Sequence, residues 1–177
     1  MPKVLKIIKA PSDILNKPCQ RVESFGQNLK KLADQMLATL QAQHDPPGVG
    51  LAANQVGVSL QIFVLQKDPS DKPLFVVNPE ILRIENKKNE STKEKKELEG
   101  CLSIPRIWSP VQRAKKIKIR YQDLKGNTKE QEFKGLNAVI IQHEIDHLQG
   151  ILFTQRAVQQ NKPIYKEEGD EFIEISL

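Results

Sequence analysis

The first clear pattern along the chain is helical. Leu29, Leu32, Ala33, Met36, Leu37 and Leu40 recur at intervals of three and four. Residues 27–43 are therefore expected to form an amphipathic helix. His44-Asp45-Pro46-Pro47-Gly48 stops it, since proline removes a donor and clashes with the preceding turn. Residues 48–55 (GVGLAANQ) then read as a small-residue loop. Residues 60–65 (LQIFVL) and 74–77 (LFVV) are short apolar runs rich in β-branched and aromatic side chains, and predict buried strands. Ile117, Ile119 and Tyr121 alternate with Lys116, Lys118 and Arg120, the signature of a half-buried strand. Lys125-Gly126-Asn127 turns the chain into a partner strand near Phe133, so this pair predicts a hairpin.

A second helix is expected over residues 136–149, with Gly150 placed to end it. Leu136, Val139, Ile140, His143 and His147 share one face of it. Beyond Gly150 the pattern is mixed and closes on the alternating Phe172-Ile173-Glu174-Ile175, which reads as strand or extended chain. No repeat and no long linker interrupts the sequence. The expected fold class is α+β: a single compact domain over residues 1–177, with mostly antiparallel strands around a central helix.

Composition changes this picture little. With 38% hydrophobic and 28% charged residues, the chain has the balance of a globular protein. No apolar run reaches the ~18 residues that suggest a membrane span. The start shows neither a secretory signal nor a transit peptide. Two cysteines are too few for a disulfide framework and fit a reducing cytosol. The net charge of +5 permits attraction to polyanions such as ribosomal RNA, although a lysine run is ordinarily a solvated face. Residues 85–97 (ENKKNESTKEKKE) form such a run, expected as a flexible connection or the tip of a long hairpin.

The chemistry concentrates in His143-Glu144-Ile145-Asp146-His147. Histidines four apart on a helix stand one turn above each other and can reach one metal ion. The glutamate beside the first histidine can take a proton from a water at that metal. The chain has three histidines and spends two here. Buried without a shared partner, they would be costly. A third ligand is needed, with a position left open for water. Cys101, Cys19, His44 and carboxylates are the candidates. Cys101 stands in EGCLS, where Gly100 permits a tight backbone and the next residue can offer an N–H beside the metal. Cys19, next to Pro18, reads as a small packed side chain, and His44 as an exposed residue at a helix end.

Three stretches together carry a family resemblance: GVGLAANQ at residues 48–55, EGCLS at 99–103 and QHEIDH at 142–147. In this order and at these separations they resemble peptide deformylase, and the likeness covers most of the chain. It implies that Cys101, His143 and His147 bind one divalent metal. Ferrous iron is expected in cells, with zinc, nickel or cobalt as alternatives. It implies Glu144 as general base and then acid. The Gln55 amide and the Leu102 backbone N–H would hold the oxyanion. Val49, Leu136, Val139 and Ile140 match positions of the methionine pocket, and core packing explains each of them about as well. Gly50 would admit the substrate backbone, and Glu99 would orient groups near the metal. The implied reaction is removal of the formyl group from the N-terminal formyl-methionine of newly made polypeptides, with release of formate. The expected partners are the formyl-methionyl nascent chain and, transiently, the ribosome; neither specific DNA nor a membrane is expected. A bacterial cytoplasm is the expected setting, with an organelle as the alternative. Arg106 and Trp108 follow the second motif where the family varies. A place at the rim of the substrate groove is open to both, with Trp108 expected rather as a packing anchor. No basic C-terminal helix is expected, because the tail runs through Glu167-Glu168-Gly169-Asp170-Glu171.

Two other readings compete. A zincin-type protease would use the same HExxH with a third ligand downstream of the helix. A basic ribosome-binding module with a structural metal would close its site with four ligands and would not need Glu144.

Overall fold

The computed structural model describes residues 1–85 and 97–176. In chain order the elements are α1 (Gln27–Gln41), β1 (Gly50–Ala52), β2 (Ile62–Leu65), β3 (Leu74–Glu85), β4 (Glu99–Cys101) and β5 (Ile104–Ser109). There follow β6 (Lys116–Gln122), β7 (Thr128–Lys134), α2 (Leu136–Leu148), α3 (Phe153–Gln159), β8 (Ile164–Glu168) and β9 (Glu171–Ile175). Two antiparallel sheets result, one ordered β1-β2-β3-β6-β7 and the other β4-β5-β8-β9.

Strand alternation explains where the core lies. On one face of the first sheet, Phe63, Leu65, Val76, Ile117, Ile119 and Phe133 pack against Ala138, Ile141, Ile145 and Leu148 of α2. On the other face, Ile62, Val64 and Val77 pack against Leu29, Ala33, Met36 and Leu40 of α1. β2 is thus covered on both sides, which is why its sequence is a continuous apolar run. Replacing fully buried Phe63 by Ala would cost about 3–5 kcal/mol. A third cluster joins Cys101, Val111 and Ile164 to Phe153 and Ala157 of α3.

The expected hairpin forms in register, with Ile117 opposite Phe133. α2 begins at Leu136 as expected, but it is not amphipathic. Every residue from His143 to Leu148 is buried, whereas Leu136 is 53% exposed. The reason is position: the first sheet covers one side of α2, and the chain around β4 and α3 covers the other. Gly150 ends the helix at φ +74°, where an added Cβ would lie 2.6 Å from the Lys17 nitrogen.

Three expectations are corrected. Residues 48–55 are not merely a loop: they hold β1, paired with β2, and a 3₁₀ turn over Ala53–Val56. The tail after Gly150 includes the short helix α3, whose first turn is closed by a 2.8 Å bond from Leu152 N–H to Gln155 Oε1. β3 extends well past its apolar start, to Glu85, because β6 pairs with it through two irregularities. The tail otherwise forms the expected strands, β8 and β9. The expectation for residues 85–97 falls mostly outside the described residues; the strands flanking them, β3 and β4, belong to different sheets.

Candidate metal centre and its cleft

Cys101, at the end of β4, meets His143 and His147 of α2. Their ligand atoms lie within 4.8 Å of one another, and all three residues are buried. Cys101 Sγ is 3.2 Å from His147 Nε2. His143 presents Nδ1 to Glu99 Oε1 at 2.6 Å. A carboxylate can only accept, so Nδ1 carries a proton and Nε2 is the nitrogen turned toward the centre. Asn54 Nδ2 donates to the His147 carbonyl at 2.7 Å and fixes the end of α2 against the 3₁₀ turn.

The electrostatics suit a positive charge beside the sulfur. Burial opposes charge on Cys101, yet the neighbouring histidines outweigh it and hold the thiol well below its usual range. A buried thiolate with two imidazoles is a donor set for a borderline or soft divalent ion. The residues present therefore fit a metal ion. Among the described residues three ligands converge, and the third, Cys101, lies upstream of α2. A zincin would draw its third ligand from downstream, and a closed structural site would need a fourth.

Behind the ligands runs a chain of opposite charges. Glu99 faces His143 and also takes a two-pronged contact from Arg113, at 2.7 and 3.0 Å. Arg113 reaches on to Asp146, which Arg156 grips at 2.7 and 3.0 Å. Burial raises the Glu99 carboxyl, but the contacts with His143 and Arg113 prevail and bring it down to about 2. Asp146 lies inside the HEIDH motif, yet its role in this network was not foreseen. Arg113 was missed altogether, because its partners are 14 and 33 residues away and no local pattern joins them.

Glu144 sits beside the metal ligands with no ion-pair partner among the described residues. Its burial lifts the carboxyl to about 7. Gln55 is 2% exposed. Its Oε1 accepts from Ala52 N–H at 2.9 Å, which turns Nε2 toward Ser103 Oγ at 3.1 Å and Cys101 Sγ at 3.5 Å. Ser103, which closes the EGCLS stretch with no role assigned to it there, thus helps to orient the Gln55 amide.

These groups open onto one cleft of about 1010 Å³. Val49, Gly50, Gln55, Glu99, Cys101, Leu102, Leu136, Val139, Ile140, His143 and Glu144 all border it, while His147 lies behind. Glu99 is on the wall with both oxygens engaged by Arg113 and His143. Trp108 also borders the cleft; its ring lies across Gly100, and its Nε1 donates to Glu167 at 2.8 Å. Arg106 is exposed, bridging Asp45 at 3.1 Å and Glu167 at 3.5 Å. Cys19 is buried and free, and His44 is exposed; neither approaches the centre.

Comparison with known proteins agrees with this geometry. The family model described as polypeptide deformylase matches residues 4–163. A peptide deformylase of Dictyoglomus thermophilum is 41% identical over 157 residues, 89% of this chain and 95% of that protein. Peptide deformylase 1 of Bacillus cereus is 42% identical over 167 residues, 94% of this chain and 97% of that one. A crystal structure of an Acinetobacter baumannii class I type b peptide deformylase with Met-Ala-Ser bound superposes with a TM-score of 0.76 at 36% identity, covering 88% of this chain and 99% of that one. With the HExxH helix, the upstream cysteine and the glutamine turn on one cleft, the chain belongs to the polypeptide deformylase family.

Proposed function

We propose that this chain is a metal-dependent hydrolase that removes the formyl group from the N-terminal formyl-methionine of newly made polypeptides. Water and the formamide yield formate and a free amine. The observation that carries this reading is the placement of Glu144 on the same cleft wall as Cys101 and His143.

Cys101, His143 and His147 would hold one divalent ion; we assign ferrous iron in the cell, with zinc, nickel and cobalt as substitutes. When bound, the ion supplies Lewis acidity toward the formyl oxygen and toward the attacking water. Glu144 takes the proton of that water as it adds to the formyl carbon. Burial favours the protonated carboxyl, which suits Glu144 to hold this proton and pass it to the departing amine. Negative charge grows on the formyl oxygen, and the Gln55 Nε2 and the Leu102 N–H donate to it. The Ala52 and Ser103 contacts hold the Gln55 amide in the required sense beforehand.

Val49, Leu136, Val139 and Ile140 would enclose the methionine side chain, and the backbone near Gly50 would pair with the extended substrate. Glu99 acts from behind, keeping the His143 ring oriented. The whole of residues 1–177 serves as one catalytic domain. The substrate implies work beside the ribosome, in a bacterial cytoplasm. Among the described residues no helix is long and apolar enough to cross a membrane.

The decisive experiment is anaerobic formate release from a short formyl-Met peptide, with iron, nickel or zinc supplied. The wild type should release formate, and Glu144→Ala should fall by about 10²–10⁴-fold while retaining its metal. A folded, metal-loaded wild type that releases none would overturn the assignment.

A further inference from the structure

We propose that Lys9 is a positioning residue for the metal centre, acting on the Cys101 sulfur through a single peptide unit. The proposal rests on the reading of Cys101 as a metal ligand. Lys9 Nζ donates to the Leu102 carbonyl at 2.6 Å. That carbonyl shares its planar amide with the Ser103 N–H, which donates to Cys101 Sγ at 3.4 Å. An ammonium on the oxygen end of an amide draws electron density from the nitrogen end and strengthens its N–H as a donor. The cation and the sulfur thus sit at opposite ends of one polarisable group.

A surface lysine ordinarily gains little from one contact, because its side chain must be immobilised. Here the backbone is already fixed on both sides. Ile8 N–H donates to the Gln55 carbonyl at 2.8 Å, and Ala10 N–H donates to the Ser103 carbonyl at 2.9 Å. Ile7 is buried in the cluster around α1. Residues 7–10 therefore strap together the turn carrying Gln55 and the turn after Cys101. Lys9 is held directly over the second of these.

Hydrogen bonds to a ligating sulfur lower the energy of its lone pairs and tune the metal it binds. Removing the Lys9 ammonium weakens the Ser103 N–H bond, so the sulfur lone pairs rise. Charge transfer from sulfur to metal then needs less energy.

The test is the near-ultraviolet sulfur-to-cobalt band of the cobalt-loaded protein. Lys9→Met keeps the aliphatic stem and loses the donor; Lys9→Arg keeps a cationic donor. The expected result is a band shifted to longer wavelength in K9M and restored toward wild type in K9R, with thermal melts showing all three folded. A band that K9M leaves in place would overturn the proposal alone. A wild type lacking the band would remove Cys101 as a ligand, and the Lys9 role with it.

Discussion

The side of Gly50 that would carry a β-carbon faces the carboxylate of Glu144. An atom added there would lie 3.0 Å from Glu144 Cδ and 3.0 Å from Ile140 Cγ2. Glycine at this position leaves room for the general base. Gly50→Ala should displace Glu144 by a fraction of an ångström to about 1 Å, and such misplacement costs about 10²-fold in rate. The expected outcome is a loss of that order in kcat/KM for formate release, with metal content unchanged. Undiminished turnover would show that Glu144 does not need this space.

The pH dependence follows from the same carboxylate. Burial raises Glu144 to about 7, and a base acts only when ionised. A cation at Cys101, His143 and His147 pulls the value down. The acid limb of kcat/KM in the nickel-loaded enzyme is therefore expected at or below about 7, with activity rising as pH rises through it. An acid limb that Glu144→Asp leaves unmoved would remove Glu144 as the titrating base.

Glu99 sets the acid stability. Its carboxyl is lowered from 4.5 to about 2 in the fold, so its contribution is complete above 4.5 and is lost as pH falls toward 2. The shift corresponds to on the order of 3 kcal/mol. Urea unfolding between pH 5 and pH 2 should show this decline in the wild type and a shallower one in Glu99→Gln. Parallel declines would place the acid sensitivity elsewhere.

Removal of the metal should destabilise the fold, because the ion binds the native arrangement of three buried donors. Chelation is expected to lower Tm by several degrees, with recovery on adding nickel. Cys101→Ala should lose the nickel-dependent rise. If that variant still responds to nickel as the wild type does, Cys101 is not a ligand.

Leu136 separates binding from folding. Because it is 53% exposed at the cleft, Leu136→Ala should leave Tm nearly unchanged. The lost apolar contact with methionine, roughly 1 kcal/mol, should raise KM about fivefold with kcat little altered. A drop in Tm with unchanged KM would assign Leu136 to packing.

Much of this was legible in the sequence because the signals are local. The three-and-four spacing of Leu29 to Leu40 marks α1, and the His143–His147 spacing marks two ligands on one helix face. Cys101 was legible through its motif. What escaped was non-local or short. Arg113 meets Glu99 and Asp146 across folded layers. Ser103 reads as an ordinary small residue until Gln55 is seen to donate to it. α3 is seven residues long, too brief for a periodicity to declare itself. The burial of every residue from His143 to Leu148 escaped because an amphipathic reading assumes one covered side.

The chain of charges from Arg156 through Asp146, Arg113 and Glu99 to His143 also constrains how this protein can vary over generations. Its inner groups are almost wholly shielded from solvent. Losing one member strands its neighbour's charge, which is far more damaging than never having the pair. Single changes at Glu99, Arg113 or Asp146 are therefore the inaccessible steps, and compensated double changes the accessible ones. The catalytic helix inherits that constraint, since Asp146 and His143 both belong to it.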